Sequence, residues 1–145
     1  MRPVKAGPLR SIEGIYMAKI LIVDDAASMR QQIAFVLETN GHQVLMGQDG
    51  LDGLEILKQN NDIDLVISDI RMPRMEGIPM IKKMRNDVRF RNLPIIILST
   101  KGDNTLIQQA KELGASGWMV KPFNPPQLLN IINKVLSKIA ASKSG

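Results

Sequence analysis

Four short apolar runs in this chain each end in groups that can do chemistry. Ile20–Val23 is followed by Asp24 and Asp25, and Leu65–Ile67 by Ser68 and Asp69. Ile95–Leu98 is followed by Ser99 and Thr100, and Trp118–Val120 by Lys121 and Pro122. Gathered in one place, these make three carboxylates, a hydroxyl pair and an ammonium. Carboxylates at close range repel, and at neutral pH they need compensation or one stays protonated. A hard divalent cation with oxygen ligands supplies that compensation. Mg²⁺ suits a shallow site, because it keeps several waters and accepts one or two carboxylates plus phosphate oxygens. A carboxylate in such a site can act as a nucleophile toward phosphorus. Phosphoryl transfer then asks mainly for positioning and for neutral surroundings at the equatorial oxygens, which Lys121 and the Ser99 hydroxyl are of the right type to provide. Each group alone has a plainer reading: Asp-Asp as a helix-capping turn, Ser-Thr as the start of a helix, Lys-Pro as an exposed turn. Their joint occurrence, one set per run, points to a phosphoryl group placed on an aspartate.

Such a site requires elements that bring the ends of the runs together. The continuous apolar run Ile20–Val23 has the pattern of a strand covered on both faces. Met29, Ile33, Val36 and Leu37 then recur at helical spacing, with Gly41 as a stop signal and Ser28 with Gln31 as a possible capping box. Val44–Met46 reads as a short strand, Leu51, Leu54 and Leu57 as one stripe of a helix, and Leu65–Ile67 as the third strand. A turn-rich segment from Met72-Pro73 to Gly77 precedes a helix carrying Met80, Ile81 and Met84. Ile95–Leu98 is the fourth strand, and Leu106, Ile107, Ala110 and Leu113 mark a helix stopped by Gly114. Trp118–Val120 is the fifth strand; Asn124 as N-cap and Pro125 at the first helical position open a last helix with Leu128, Ile131, Ile132, Val135 and Ile139 on its apolar face. Five strand–helix units predict one α/β domain, a parallel sheet between two helical layers joined by right-handed crossovers. Ligands in such folds sit beyond the carboxyl ends of the strands, where the reactive groups fall.

Composition bounds the rest. The chain has 145 residues, 44% hydrophobic and 23% charged, as expected of one globular domain. It has no cysteine, which excludes disulfides, zinc-thiolate sites, iron–sulfur clusters and a Cys nucleophile. The longest stretch without Asp, Glu, Lys or Arg is Pro122–Asn133, which includes polar residues and falls short of the ~20 apolar residues of a membrane span. A cytoplasmic location is expected. The net charge is +5, of which +2 falls on residues 1–16 (Arg2, Lys5 and Arg10 against Glu13), leaving +3 for the remainder. Arg71, Arg74, Lys82, Lys83, Arg85, Arg89 and Arg91 form a basic stretch with only Phe90 interleaved. It reads as a solvated face, so no nucleic-acid partner is expected. Residues 1–16, with Pro3, Gly7, Pro8 and Gly14, read as a flexible leader before Met17-Ala18-Lys19; the domain is predicted over 17–140 and a disordered tail over 141–145.

The segments Ile20-Leu-Ile-Val-Asp-Asp25, Leu65-Val-Ile-Ser-Asp-Ile-Arg-Met-Pro73, Ile97-Leu-Ser99 and Val120-Lys-Pro-Phe123 resemble the receiver domain of bacterial response regulators. Asp24-Asp-Ala-Ala-Ser-Met-Arg30 and Leu113-Gly-Ala-Ser-Gly117 are similar to its stand-alone chemotaxis members, and the resemblance runs from about Lys19 to Ile139. It implies a flavodoxin-like (βα)5 fold with strand order 2-1-3-4-5. It implies Asp69 as phosphoacceptor, charged by a histidine kinase, and Mg²⁺ held by Asp24, Asp25, Asp69 and the backbone carbonyl of Arg71. Ser99 stands where the family has its switch hydroxyl, Lys121 where it has the phosphoryl charge partner, and Lys121–Pro122 where its peptide is cis. Trp118 stands where the family usually has Tyr, Phe or His, a ring that turns inward when the switch hydroxyl moves. The signal would then reach a face made of the fourth helix, fifth strand and fifth helix, on which a flagellar motor switch protein or another protein target would dock.

The sequence departs from the chemotaxis pattern at Arg71, commonly Asn, and at Lys101, commonly acidic or amide. Both positions line the path of a hydrolytic water, so both are expected to tune dephosphorylation toward a long-lived phosphoprotein. The favoured reading is a monomeric signalling switch and not an enzyme, since no separate substrate is turned over. The alternative is a phosphorelay shuttle that hands the phosphoryl group to a histidine phosphotransfer protein. A flavin-binding electron carrier would need a Ser/Thr/Gly-rich phosphate loop after the first strand, where Asp24-Asp-Ala-Ala stands instead.

Overall fold

The computed structural model describes residues 10–12 and 15–144. In chain order its elements are β1 (Arg10–Ile12), β2 (Ile15–Met17), β3 (Lys19–Val23), α1 (Ala27–Thr39), β4 (Gln43–Gly47) and α2 (Gly50–Gln59). There follow β5 (Leu65–Asp69), α3 (Gly77–Asn86), β6 (Ile95–Ser99), α4 (Asn104–Glu112), β7 (Gly117–Val120) and α5 (Pro125–Ser144). The strands from β3 onward form one sheet in the order β4-β3-β5-β6-β7, every pair parallel. Counted from β3, that is the expected order 2-1-3-4-5.

Burial along each strand explains why its residues are what they are. In the central strands β5 and β6 every residue is buried, so Leu65-Val-Ile and Ile95-Ile-Ile-Leu have no solvent side to reserve for polar groups. The edge strand β7 alternates buried Gly117 and Met119 with exposed Trp118 and Val120. Full burial of each such aliphatic side chain contributes about 1.5–3 kcal/mol. The sheet divides the interior into two apolar clusters. One packs Leu21, Val23, Val66, Ile95 and Ile97 against α2, α3 and α4. The other packs Ile20, Ile22, Ile67, Ile96 and Leu98 against α1 and α5.

The predicted helix signals hold at Gly41 and Gly114, both at positive φ, and at Asn124, whose Oδ1 accepts the Gln127 N–H at 3.0 Å. Ser28 does not open a capping box. The first turn of α1 starts at Ala27, because the Asp24 Oδ1 accepts the Ala26 N–H at 2.9 Å and Ala26 O already accepts the Arg30 N–H at 3.0 Å. Within the leader read as flexible, residues 10–12 and 15–16 belong to an antiparallel hairpin with Arg10 opposite Met17; residues 1–9, 13 and 14 lie outside the described residues. The hairpin is tied down where the Tyr16 N–H donates to Asn133 Oδ1 of α5 at 3.2 Å and the Tyr16 side chain packs on the α1–α5 cluster. At the other end α5 continues to Ser144, through the segment read as a tail; Ala140 and Ala141 are strong helix formers with no breaker before Gly145. No described helix is long and apolar enough to cross a membrane.

Candidate functional site

The parallel register delivers Asp24, Asp69, Ser99 and Lys121 to one end of the sheet, each at or just past the carboxyl terminus of its strand. Asp24 and Asp69 are buried and Asp25 is exposed; each offers a carboxylate oxygen, and these oxygens lie within 4.8 Å of one another. The Lys121 ammonium donates to Asp24 Oδ2 at 2.8 Å and pairs with Asp69 Oδ2 at 3.1 Å. Asp69 Oδ1 accepts the Ile70 N–H at 2.8 Å. Burial raises the Asp69 pKa and the nearby Asp24 charge adds to it, against the opposing pull of Lys121. Burial works against the Lys121 charge as well, but the Asp24 hydrogen bond and the Asp69 and Asp24 charges leave its pKa above the ordinary ammonium value. Lys121 reaches this position from a cis Lys121–Pro122 peptide, and its N–H donates to Ser99 O at 2.7 Å.

The donor set fits a hard cation: oxygens only, with an excess of carboxylate charge that a single ammonium leaves partly uncompensated. The site also holds a group that a polar ligand would satisfy. The Ser99 hydroxyl is fully buried and has no hydrogen-bond partner, an arrangement that costs about 1–3 kcal/mol unless a polar group comes to meet it.

The remaining residues singled out in the sequence lie around this centre. Trp118 is 44% exposed, and the Lys111 ammonium of α4 stands 3.7 Å from its ring centroid. Lys101 is exposed in the turn before α4. Arg71 extends toward that same turn, its Nη2 2.9 Å from Asp103 Oδ1, so its guanidinium is engaged there and not on Asp69. The basic stretch read from the sequence as a solvated face is exposed at Arg71, Arg74, Lys82, Lys83, Arg89 and Arg91, and only Arg85 is half-buried. Arg71 pairs with Asp103, Arg74 with Asp49 and Arg89 with Asp87, while Arg85 donates to the carbonyls of Phe90, Arg91, Leu93, Leu113 and Gly114.

Three residues of this neighbourhood had no site role in the sequence reading, where Arg74 counted only in the basic stretch, Gly77 only in a turn, and Asp49 not at all. Arg74 has φ 61, a left-handed backbone held by two hydrogen bonds to Asp49, at 2.7 and 3.1 Å. Asp49 also caps α2 through the Asp52 N–H, and its carboxyl is held below the usual range chiefly by the Arg74 hydrogen bond. The spacing of Asp49 and Asp52 before an apolar stripe was a readable cap signal; its bond to Arg74 was not. Gly77 packs against the backbone of the acceptor strand: a Cβ there would lie 2.7 Å from Asp69 O.

Residues 20–133 match the family model of the response regulator receiver domain. The chain belongs to that family. Among curated relatives, it is 37% identical over 119 residues to the chemotaxis protein CheY1 of Helicobacter pylori, covering 81% of this chain and 96% of that protein. It is 36% identical over 121 residues to the protein PilH of Pseudomonas aeruginosa, covering 83% and 99%. Among solved structures, the chemotaxis response regulator CheY4 of Vibrio cholerae superposes with a TM-score of 0.76 at 38% identity, covering 82% of this chain and 98% of that one. The receiver is therefore one of two-component signalling, similar to chemotaxis regulators.

Proposed function

We propose that this receiver takes a phosphoryl group from a histidine kinase onto Asp69 and signals as a stand-alone, monomeric cytoplasmic switch by phosphorylation-dependent protein binding. The observation that supports this most directly is the meeting of Asp69 with Asp24, Asp25 and Lys121 beside the partnerless Ser99 hydroxyl. An Asp69 carboxylate oxygen forms the new bond to phosphorus as the bond to the donor's nitrogen breaks, and water later cleaves the acyl phosphate. No other substrate is turned over, so the domain is not an enzyme in the ordinary sense. Lys121, already 3.1 Å from Asp69, holds the charge of the phosphoryl oxygens. The Ser99 hydroxyl moves to donate to one of them. A bound Mg²⁺ would be held by Asp24, Asp25, Asp69 and the Arg71 carbonyl, and would neutralise phosphoryl charge. Arg71 and Lys101 slow the loss of the phosphoryl group.

The movement of Ser99 leaves space into which Trp118 turns, and this alters the face formed by α4, β7 and α5. The similarity to chemotaxis proteins supports a flagellar motor switch protein, or a comparable protein target, as the partner of that face. The test is Trp118 fluorescence on adding Mg²⁺ and then acetyl phosphate. A magnesium-dependent change that is lost in Asp69→Asn is the expected result. No response to either addition would sink the reading.

A further inference from the structure

Asp103 occupies the N-cap position of α4: its carbonyl accepts the Ile107 N–H at 2.9 Å. Asp is among the preferred capping residues, because its carboxylate can accept an otherwise unpaired N–H of the first turn. Here it makes no cap bond. Its side chain, only 7% exposed, is turned the other way: Oδ1 receives the Arg71 Nε at 3.0 Å and Nη2 at 2.9 Å, and Oδ2 receives the Thr100 hydroxyl at 3.0 Å. Arg71 itself is 61% exposed and lies two residues past Asp69. The bond thus ties the loop after the acceptor to the loop before α4 at the expense of the α4 cap.

Both Arg71 contacts fall on one carboxylate oxygen, so the guanidinium fork is only half matched. A phosphoryl dianion offers several oxygens and accepts the fork on two of them. We infer that Arg71 and Asp103 form an exchangeable latch: a phosphoryl group on Asp69 draws the Arg71 guanidinium away, and the released Asp103 carboxylate turns to cap α4. This rests on Asp69 being the phosphoacceptor. Arg71 is then a positioning residue with two alternative partners. Phosphoryl occupancy is exchanged for order at the start of α4, a route to the output face separate from Ser99 and Trp118.

The test combines amide hydrogen exchange over residues 104–107 with the lifetime of the phosphoryl group, loaded from acetyl phosphate and followed by intact mass. In the unmodified protein, protection of these amides rises on loading. In Arg71→Gln only the Thr100 hydroxyl still holds the carboxylate, so protection is higher before loading than in the unmodified protein and the phosphoryl group is lost faster, by about two- to fivefold, the range one exposed ion pair supplies. In Asp103→Asn the guanidinium is already free, so the lifetime lengthens by a similar factor. Arg71→Lys keeps a cation and restores part of the lifetime. Normal loading with unchanged lifetimes and unchanged protection in both variants would overturn the latch. Absence of Asp69-dependent loading in the unmodified protein would instead overturn the phosphoacceptor reading. The exchange measurement on unloaded Arg71→Gln needs no phosphoryl group, and unchanged protection there counts against the latch by itself.

Discussion

Lys111 offers a direct way to weigh how strongly the output face is held in its resting form. Its ammonium stands 3.7 Å from the centroid of the Trp118 ring, which is 44% exposed. A cation over a partly exposed indole is worth about 0.5–1 kcal/mol. That energy is available only while the ring points outward, so it opposes the inward turn proposed above for the signalling state. Lys111→Met keeps an unbranched apolar stem of similar reach and removes the charge. The outward-to-inward ratio should then fall by about two- to fivefold, which is 0.5–1 kcal/mol expressed as an equilibrium constant. Trp118 is the only tryptophan in the chain, so its emission reports this equilibrium without interference. In Mg²⁺, titration with acetyl phosphate should reach half-response in Lys111→Met at about two- to fivefold lower donor than in the unmodified protein. Lys111→Arg, which keeps a cation over the ring, should stay close to the original. Identical midpoints for all three proteins, or a rise in Lys111→Met, would refute the reasoning.

Further outcomes can be stated for other residues. His42 is buried, its Nδ1 accepts the Ala18 N–H at 3.1 Å, and burial lowers its pKa. The unfolded chain therefore takes up a proton near the ordinary value of about 6.5 while the folded one does not, so stability falls as pH drops below it. Urea midpoints between neutral and mildly acidic pH should show this slope, and His42→Asn, which keeps an acceptor near Nδ1 but does not titrate, should flatten it. Arg85 is a desolvated cation that binds five backbone carbonyls. Arg85→Met should cost about 2–4 kcal/mol in urea unfolding, and Arg85→Lys should recover only part of it, because one ammonium cannot serve both sets of carbonyls. Gly77→Ala places a methyl group 2.7 Å from Asp69 O and 3.1 Å from the Ile70 Cα. It should lower stability by about 1–3 kcal/mol and slow loading of Asp69, measured by intact mass against time.

The gathering of polar groups at the strand ends was legible because β5 and β6 are unbroken aliphatic runs that change abruptly to Asp69 and Ser99. The run and the polar residue after it are both local, so sequence order carries the whole signal. The pairings of the arginines were not legible. Arg71 and Asp103 are 32 residues apart, and Arg74 and Asp49 are 25 apart, each pair joining two different loops. Composition showed only a basic stretch, since nothing in a linear pattern says which loops a parallel sheet will set side by side. The β1–β2 hairpin was missed for a simpler reason: strands of three residues hold too few side chains for a two-residue period to emerge. Its attachment through Tyr16 depends on Asn133, 117 residues away. The start of α1 was displaced by Asp24, whose carboxylate serves the turn before the helix as well as Lys121.

The division of the interior by the sheet has a mechanical consequence. α4 is rooted in one apolar body, through Ile107 and Ala110, and α5 in the other, through Leu128, Ile132 and Leu136. These two helices, packed on opposite faces of the sheet, are like jaws bolted to opposite sides of a wall. One can slide while the grip of the other is undisturbed. A partner that clasps both would act as a caliper, reading the gap between two rigid parts and not the softening of either.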